Sequence, residues 1–315
     1  MQYIFTVLHC NHRENRIFSG MEFKYYSVKE INAFLEAKGL AVNKKFGQNF
    51  LINSGVCDTI VKNLELTQDD VVFEIGCGLG SLTNRLIDSP AGKVIGFEID
   101  NAYQKHLKNL FKDYSKFTLV PGDFLKEFEN AVKMHLAPGQ KPVITGNLPY
   151  YITTPIMEKI FTGTCGFSRA AFMMQKEVGE RVVSKAGNKK YGSLSIFCQY
   201  YSQPKIIANI SPTSFYPQPN VNSVVLRFVH REFEPSADNE KLFFAVARSL
   251  FINRRKQLKN NFALSPFLKV IPLELILQAM EQCSIPMEER GENLSIEQII
   301  HLSNVINKLN SESKT

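Results

Sequence analysis

The amino-acid sequence predicts an α/β fold, a Rossmann-like, mostly parallel sheet of seven strands, followed by a small all-helical C-terminal domain. From Asp70 onward, short β-branched or aromatic runs alternate with segments of helical length, as in parallel βαβ units. The first of these runs enters a loop with glycines at 76, 78 and 80. After about Val229 the strand signals stop and helical patterns continue to the C-terminus.

Seven strand-like runs support this prediction, and they are VVFEIG, KVIGFEI, KFTLVPGD, PVITGN, RAAFMMQ, PKIIANI and NSVVLRFV. Segments of helical length separate the first four, so we expect these strands to be parallel and covered by helices. The connection between the last two, SPTSFYPQPN, is too rich in proline for a crossover helix. We therefore expect the last two strands to pair antiparallel.

Composition excludes several classes of protein. The 315 residues are 44% hydrophobic and 21% charged, which is typical of a globular protein. No stretch approaches the roughly 18 apolar residues of a membrane span, and the first twenty residues lack the features of a signal peptide. The six cysteines are scattered, without a C-x-x-C pair or zinc-like spacing to histidine. We therefore expect a soluble, cytoplasmic protein with free thiols, no metal and no membrane partner.

The pattern divides the chain into three parts. Residues 1–27 form an N-terminal extension, 28–230 a catalytic domain and 231–315 a helical C-terminal domain. Met21 opens the segment that resembles the rest of the chain. The residues before it are expected to be a mis-assigned start or a disordered tail.

The chain is basic, with a formal charge of +7, and much of the excess is clustered at Lys44-Lys45, Lys189-Lys190 and Arg254-Arg255-Lys256. Such clusters indicate a polyanionic partner. A solvated basic surface explains the charge alone equally well.

Acidic residues follow the glycine loop at two successive strand ends. Glycines allow positive φ and close approach of a ligand, although G-x-G-x-G differs from the G-x-G-x-x-G of dinucleotide sites. Glu98, 22 positions after Gly76, is placed to accept hydrogen bonds from ribose hydroxyls. Asp123 ends the third strand, where it can accept from an adenine amino group beside Phe124. The alternatives are a turn that binds no ligand and acids that only cap helices. The joint occurrence of the glycine loop and the two acids favours a nucleoside site.

The order of glycine loop, acid, acid and Asn147-Leu148-Pro149-Tyr150 resembles S-adenosylmethionine-dependent methyltransferases that modify the exocyclic amine of adenine. Further stretches, in order from about Lys44 to the C-terminus, are similar to one family, the ribosomal RNA small-subunit adenine dimethyltransferase A family. These stretches are KKFGQNFL, MMQKEV, YGSLS, SFYPQPNVNS, NRRKQLKN and ERGENLS.

The resemblance implies a class I S-adenosylmethionine-dependent methyltransferase fold and dimethylation of N6 of two adjacent adenines near the 3′ end of small-subunit rRNA, four methyl groups for each rRNA. The implied partner is this rRNA within a ribosomal subunit or its precursor, with a role in ribosome biogenesis, and the protein is expected to act as a monomer. Cys77 stands where proline is frequent in the family. The family's cofactor contacts fall on Asn49, Leu51, Gly76, Glu98, Asp123 and Asn147.

The Asn-Leu-Pro-Tyr stretch also has a physical interpretation. An adenine amine is a poor nucleophile, and the Asn147 side-chain oxygen and the Leu148 carbonyl can each accept one of its N–H bonds and orient its lone pair. Pro149 biases Leu148 toward an extended backbone. Tyr150 and Phe215 supply rings for the two faces of an unstacked base. The alternative is an ordinary Asn-Pro turn with core tyrosines.

Two other functions remain open at this point. The first alternative is an antibiotic-resistance methyltransferase that acts on large-subunit rRNA. The ERGENLS stretch and the longer C-terminal region argue against it. The other is a non-catalytic RNA-binding assembly or transcription factor, against which the intact glycine loop and acids argue. Under the favoured prediction, rRNA phosphates contact the basic clusters together with Arg181 and Lys185, and the helical domain makes much of the substrate choice.

Overall fold

The computed structural model describes residues 15–18, 21–38, 49–149 and 151–313. Tyr150, Lys44-Lys45 and most of the predicted N-terminal extension lie outside these residues. The described residues form eleven strands and twelve α-helices, which are given in chain order below.

The strands are β1 (Asn15–Phe18), β2 (Met21–Lys24), β3 (Phe50–Leu51), β4 (Val71–Ile75), β5 (Lys93–Glu98), β6 (Phe117–Pro121), β7 (Val143–Asn147), β8 (Arg169–Gln175), β9 (Ser202–Ile210), β10 (Phe215–Tyr216) and β11 (Ser223–His230). The helices are α1 (Val28–Ala37), α2 (Ser54–Asn63), α3 (Ser81–Asp88), α4 (Asn101–Leu110), α5 (Phe124–His135), α6 (Thr153–Phe161), α7 (Lys176–Val182), α8 (Ser193–Tyr201), α9 (Glu240–Ser249), α10 (Leu258–Ala263), α11 (Leu273–Gln282) and α12 (Ile296–Glu312).

A seven-stranded sheet with the order β6-β5-β4-β7-β8-β11-β9 confirms the predicted fold class. The pairs β4–β5, β5–β6, β4–β7 and β7–β8 are all parallel. The last two of the seven predicted strands, β9 and β11, are neighbours. Strand order reverses at β4, because β5 and β6 lie on one side of it and β7 and β8 on the other. In open α/β sheets, ligands bind beyond the carboxyl ends of the strands at this point.

The central strand β4 is buried along its whole length because helices cover both faces of a parallel sheet. Its last residue, Ile75, pairs with Gly146 of β7. A Cβ on Gly146 would lie 2.6 Å from the carbonyl oxygen of Ile75. The glycine therefore permits the close approach that brings the end of β7 beside the glycine loop.

A two-stranded antiparallel sheet joins two motifs that are distant in sequence. Strand β3 pairs with β10, with Leu51 opposite Phe215 and Phe50 opposite Tyr216. The Ile52 N–H donates to the Ser214 carbonyl at 2.9 Å, which extends this pairing. The sheet fixes β3, and with it Asn49, relative to the SFYPQP segment.

The described chain divides into two compact units. One contains residues up to Lys176 together with Ile207–Arg227, and the other contains Glu177–Ile206 together with residues from Phe228 onward. The second unit includes helices α9 to α12, as predicted for the end of the chain, and also residues 177–206, which the sequence analysis assigned to the catalytic domain. The proposed boundaries at 27/28 and 230/231 stay predictions. No helix among the described residues is long and apolar enough to cross a membrane.

Candidate active site

The glycine loop connects β4 to α3 and opens toward the carboxyl edge of the sheet. Gly76, Gly78 and Gly80 have φ of +72°, +54° and +89°, a region that side chains other than glycine rarely adopt. The backbone N–H groups of Gly76 and Cys77 donate to the Phe97 carbonyl at 2.9 and 3.2 Å. The loop is therefore tied to the end of β5.

Glu98 ties the same loop through its side chain. It is only 6% exposed, its Oε2 accepts from the Gly78 N–H at 2.8 Å, and its Oε1 accepts from the Asp100 N–H at 2.9 Å. Burial raises the pKa of Glu98, although these two N–H groups favour the charged form. Because each carboxylate oxygen has two lone pairs, both oxygens can still accept from ribose hydroxyls.

Asp123 is both a helix cap and a pocket residue. It precedes α5, and its side chain accepts from the Leu125 N–H at 3.0 Å. It also lines a pocket at the carboxyl edge of the sheet. The two interpretations of Asp123 considered for the sequence are therefore compatible.

Asn147 ends β7 and is oriented by the segment before β3. Its side-chain Nδ2 donates to the backbone carbonyl of Asn49 at 2.8 Å. This contact uses the donor side of the amide and leaves Oδ1 to serve as an acceptor. Leu148, 1% exposed, donates its N–H to the Met173 carbonyl at 3.1 Å, which anchors the turn to β8.

One pocket gathers residues from four successive strand ends of the parallel sheet. Eight of the residues singled out in the sequence line it, namely Asn49, Gly76, Gly78, Glu98, Asp123, Phe124, Asn147 and Pro149. Leu51 lines an adjoining smaller hollow that shares Asn49, Gly76 and Asn147 with the pocket. Tyr150 lies outside the described residues.

Phe215 lies in the hydrophobic core and does not line the pocket. Its ring is 1% exposed and belongs to a core cluster that includes Leu51, Val56 and Met173. This burial leaves neither face of the ring open to a base. The stacking role predicted for Phe215 is therefore not available in this arrangement, and the ring instead helps to anchor β10 against β3.

Several apolar residues of the pocket were not recognised from the sequence. Phe97, Ile99 and Tyr103 line it near Glu98. Phe124 also lines it, beside Asp123, as the sequence predicted. Tyr103 lies 5.6 Å from the Phe50 ring, edge to face. Position was a usable signal for Phe97 and Ile99, because they flank the strand-end acid Glu98. Tyr151 also lines the pocket and is 59% exposed, which suits an aromatic contact with an incoming partner.

Glu74 lies in β4, two residues before the first glycine of the loop, and was not recognised from the sequence. It is 1% exposed and lines the smaller hollow with Cys77. Burial raises the pKa of Glu74 to about 7, outweighing the nearby Thr83 and Cys77 groups, which favour the charged form. Cys77 is also buried, and burial raises the pKa of its thiol well above the usual value.

The chemistry of the lining restricts the ligand. Among the described residues that line the pocket, Glu98 and Asp123 are carboxylates and none is a lysine or an arginine. Such a lining disfavours a pyrophosphate. Apolar side chains suit a flat base, two carboxylates suit ribose hydroxyls and an amino group, and the negative charge suits a cationic sulfonium. These residues therefore fit S-adenosylmethionine.

Comparison with known proteins agrees with this chemistry. The profile of the family described as ribosomal RNA adenine dimethylase matches residues 39–308. The chain belongs to this family. It is 39% identical, over 267 residues, to the ribosomal RNA small subunit methyltransferase A of Lachnoclostridium phytofermentans, covering 84% of this chain and 91% of that relative. For the Clostridium acetobutylicum protein of the same name the identity is 39% over 286 residues, covering 89% of this chain and 99% of the relative.

Solved structures resemble the dimethylase family fold described here. A dimethyladenosine transferase from Plasmodium falciparum aligns with a TM-score of 0.70 at 26% identity, covering 82% of this chain and 97% of the other. The 23S rRNA methyltransferase ErmE aligns with a TM-score of 0.60 at 21% identity, covering 82% and 100%. At that identity the second likeness establishes the fold alone. This chain is thus a methyltransferase of the dimethylase family with S-adenosylmethionine as its methyl donor.

Proposed function

We propose that this protein transfers methyl groups from S-adenosylmethionine to the exocyclic N6 of two adjacent adenines near the 3′ end of small-subunit rRNA, giving N6,N6-dimethyladenosine at each. The substrate is this rRNA within a ribosomal subunit or its precursor, and the reaction contributes to ribosome biogenesis. The protein acts in the cytoplasm as a monomer. Identities of about 39% to proteins named for this activity, over most of both chains, support the choice of the small subunit.

The observation that carries the mechanism is the hydrogen bond from Asn147 Nδ2 to the Asn49 carbonyl, 2.8 Å. Because the amide donor is engaged, Asn147 Oδ1 is the group that remains to accept an N–H bond of the target amine. The Leu148 carbonyl is the second acceptor in the proposal, and Pro149 biases it toward an extended conformation. Two acceptors of fixed direction align the nitrogen lone pair for in-line attack.

When bound, S-adenosylmethionine supplies a methyl group activated by the positive sulfonium. Attack by the amine nitrogen on this methyl would form the N–C bond as the S–C bond breaks and the neutral thioether leaves, and the methylated, positively charged amine would then lose its proton to water. No protein base is needed before transfer. Glu98 and Asp123 hold the ribose and adenine of the donor, and the apolar walls of the pocket exclude water.

Tyr150 is proposed to stack on the extruded target base. Stacking on an aromatic ring stabilises a bound base by roughly 1–3 kcal/mol, which offsets part of the cost of unstacking. Tyr151, exposed at the rim of the pocket, is placed to contact a neighbouring nucleotide.

The test is to incubate the protein with labelled S-adenosylmethionine and unmodified small ribosomal subunits, and to map the methylated positions by mass spectrometry. We expect label as N6,N6-dimethyladenosine at two adjacent adenines near the 3′ end. Label only in a parallel reaction with unmodified large ribosomal subunits would instead support the resistance-type activity. Absence of label on subunits that a known dimethylase can modify would refute the proposed activity and favour a non-catalytic binding role.

A further inference from the structure

The second unit contains a basic loop, residues 183–192, between α7 and α8. The loop holds Lys185, Lys189 and Lys190, all exposed. Backbone carbonyls at its start are held by Gln199, whose side-chain Nε2 donates to Val182 and Ser184 at 2.8 Å each. In its middle, the Gly187 N–H donates to the Glu292 carbonyl at 2.7 Å. The beginning and centre of the loop are therefore anchored by its own unit.

Arg254 anchors the end of the same loop. Its two terminal guanidinium nitrogens donate to the carbonyls of Lys189 and Tyr191, at 2.6 and 2.7 Å. The guanidinium carbon lies 5.6 Å from the centre of the Phe251 ring, over its face. Each of these contacts uses the planar fork of the guanidinium, which the ammonium of lysine does not reproduce.

The cations of this region therefore differ in their availability. Lys190 forms an ion pair with Glu180, so its charge is already compensated. Arg254 is committed to the loop carbonyls. Within the described residues, Lys185, Lys189, Arg255 and Lys256 are exposed and form no ion pair. Arg254 bonds to the backbone of Lys189 and precedes Arg255 and Lys256 in the chain, so it joins the loop to this second basic segment.

We propose that Lys185, Lys189, Arg255 and Lys256 form one phosphate-contacting surface for rRNA, and that Arg254 is a positioning residue that holds its two parts together. This inference rests on the proposed function for its ligand. It divides a run that looks uniform in the sequence, Arg254-Arg255-Lys256, into a residue with a structural role and two that contact the ligand. The distinction is measurable because phosphate contacts need charge, whereas the loop anchor needs the guanidinium fork.

The test measures the affinity of the full-length protein for unmodified small ribosomal subunits over a series of salt concentrations. Arg255→Lys should bind like the wild type, whereas Arg255→Gln should reduce the slope of log affinity against log salt by about one. Arg254→Lys and Arg254→Gln should behave alike, because both lose the anchor. We expect each to weaken binding about fivefold to tenfold at physiological salt, with a slope reduced by about one to two as loop cations lose their common orientation.

Binding by Arg254→Lys that matches the wild type would overturn the inference, since it would make Arg254 a simple charge. S-Adenosylmethionine binding serves as the control, because the donor pocket lies in the first unit and should be unaffected in all four variants. A variant that fails to bind the donor is misfolded. Hydrogen exchange of the wild type and of the other Arg254 variant then tests whether Arg254 holds the loop.

Hydrogen exchange of the protein without RNA tests the anchor directly. Amides of residues 188–192 should exchange at least about tenfold faster in Arg254→Lys than in Arg255→Lys, with the core helix α12 unchanged. Equal protection in the two variants would refute the anchor. If the wild type shows no salt-dependent affinity for small subunits, the proposed function fails, while the exchange result still decides whether Arg254 holds the loop.

Discussion

Asn147 and Asn49, 98 positions apart in the sequence, are joined by a hydrogen bond of 2.8 Å from the side-chain Nδ2 of the first to the backbone carbonyl of the second. An amide can present either its oxygen or its nitrogen, and this contact determines which faces the pocket. The identity of the acceptor for the target amine is therefore set by a residue on another motif. The pairing of β3 with β10 fixes that residue in turn.

Replacement of Asn147 should separate chemistry from donor binding. Asn147→Ala removes one of the two proposed acceptors, and we expect methyl transfer to fall by at least about 100-fold, with only a few-fold loss of S-adenosylmethionine affinity. Single-turnover assays and calorimetry measure the two quantities. Asn53→Ala is a matched control, because it removes a nearby side-chain contact, Nδ2 to the Ser214 hydroxyl, and a helix cap, without removing a pocket residue. The control should lose about 1 kcal/mol of stability but retain turnover, and near-normal turnover by Asn147→Ala would refute the mechanism.

Glu98→Gln should weaken donor binding by at least about tenfold. Both carboxylate oxygens accept backbone N–H groups, from Gly78 and Asp100, and the NH₂ of glutamine would face one of these donors, leaving a buried N–H without a partner. The comparison is Asp123→Asn, which retains both an acceptor and a good helix cap and should lose less than about threefold. Titration calorimetry with S-adenosylmethionine distinguishes the two. Equal affinities for both variants would mean that Glu98 does not organise the site.

Phe215→Leu tests whether the ring stays in the core when RNA binds. A buried Phe→Leu change should cost about 1–2 kcal/mol of unfolding free energy, while a fluorescent adenine analogue at the target position should be quenched as in the wild type. Tyr150→Leu should abolish that quenching. Loss of quenching in Phe215→Leu would show that the ring leaves the core to stack on the base.

The buried carboxyl of Glu74 should make stability depend on pH. Its pKa is raised from 4.5 to about 7, so the folded protein holds a proton that the unfolded chain releases between these values. Stability attributable to Glu74 is therefore present at low pH and is lost as pH rises through this window. Relative to Glu74→Gln, the wild type should lose roughly 2–3 kcal/mol of unfolding free energy between pH 5 and pH 8. Urea unfolding of both proteins measures this difference, and parallel pH profiles would contradict it.

Strand ends were the features that the sequence predicted best. Parallel strands buried on both faces leave long apolar runs. Polar residues at or just beyond their carboxyl ends, Glu98, Asp123 and Asn147, must meet at one edge of the sheet. Periodicity could not predict the pairing of β3 with β10, because each strand is only two residues long. Phe215 lies in a proline-rich stretch of the sequence, which gave no sign that its ring is buried.

Charged runs were the least predictable feature. Arg254, Arg255 and Lys256 are equivalent by composition, and only the hydrogen bonds of Arg254 to the carbonyls of Lys189 and Tyr191 distinguish it. The same holds for Lys190, whose partner Glu180 lies ten positions away across a loop. Such partners depend on the tertiary path of the chain, which local sequence patterns do not encode.

Asp123 links binding of a ligand in the pocket to the stability of the first turn of α5. The same carboxylate that is proposed to meet adenine accepts the Leu125 N–H at the start of α5. A ligand that donates a hydrogen bond to this carboxylate either weakens its bond to the Leu125 N–H or holds the carboxylate in the capping orientation. Either effect alters how often the first turn of α5 opens. The amide of Leu125 is thus a built-in reporter, through which donor loading can be followed on the backbone without any label on the ligand.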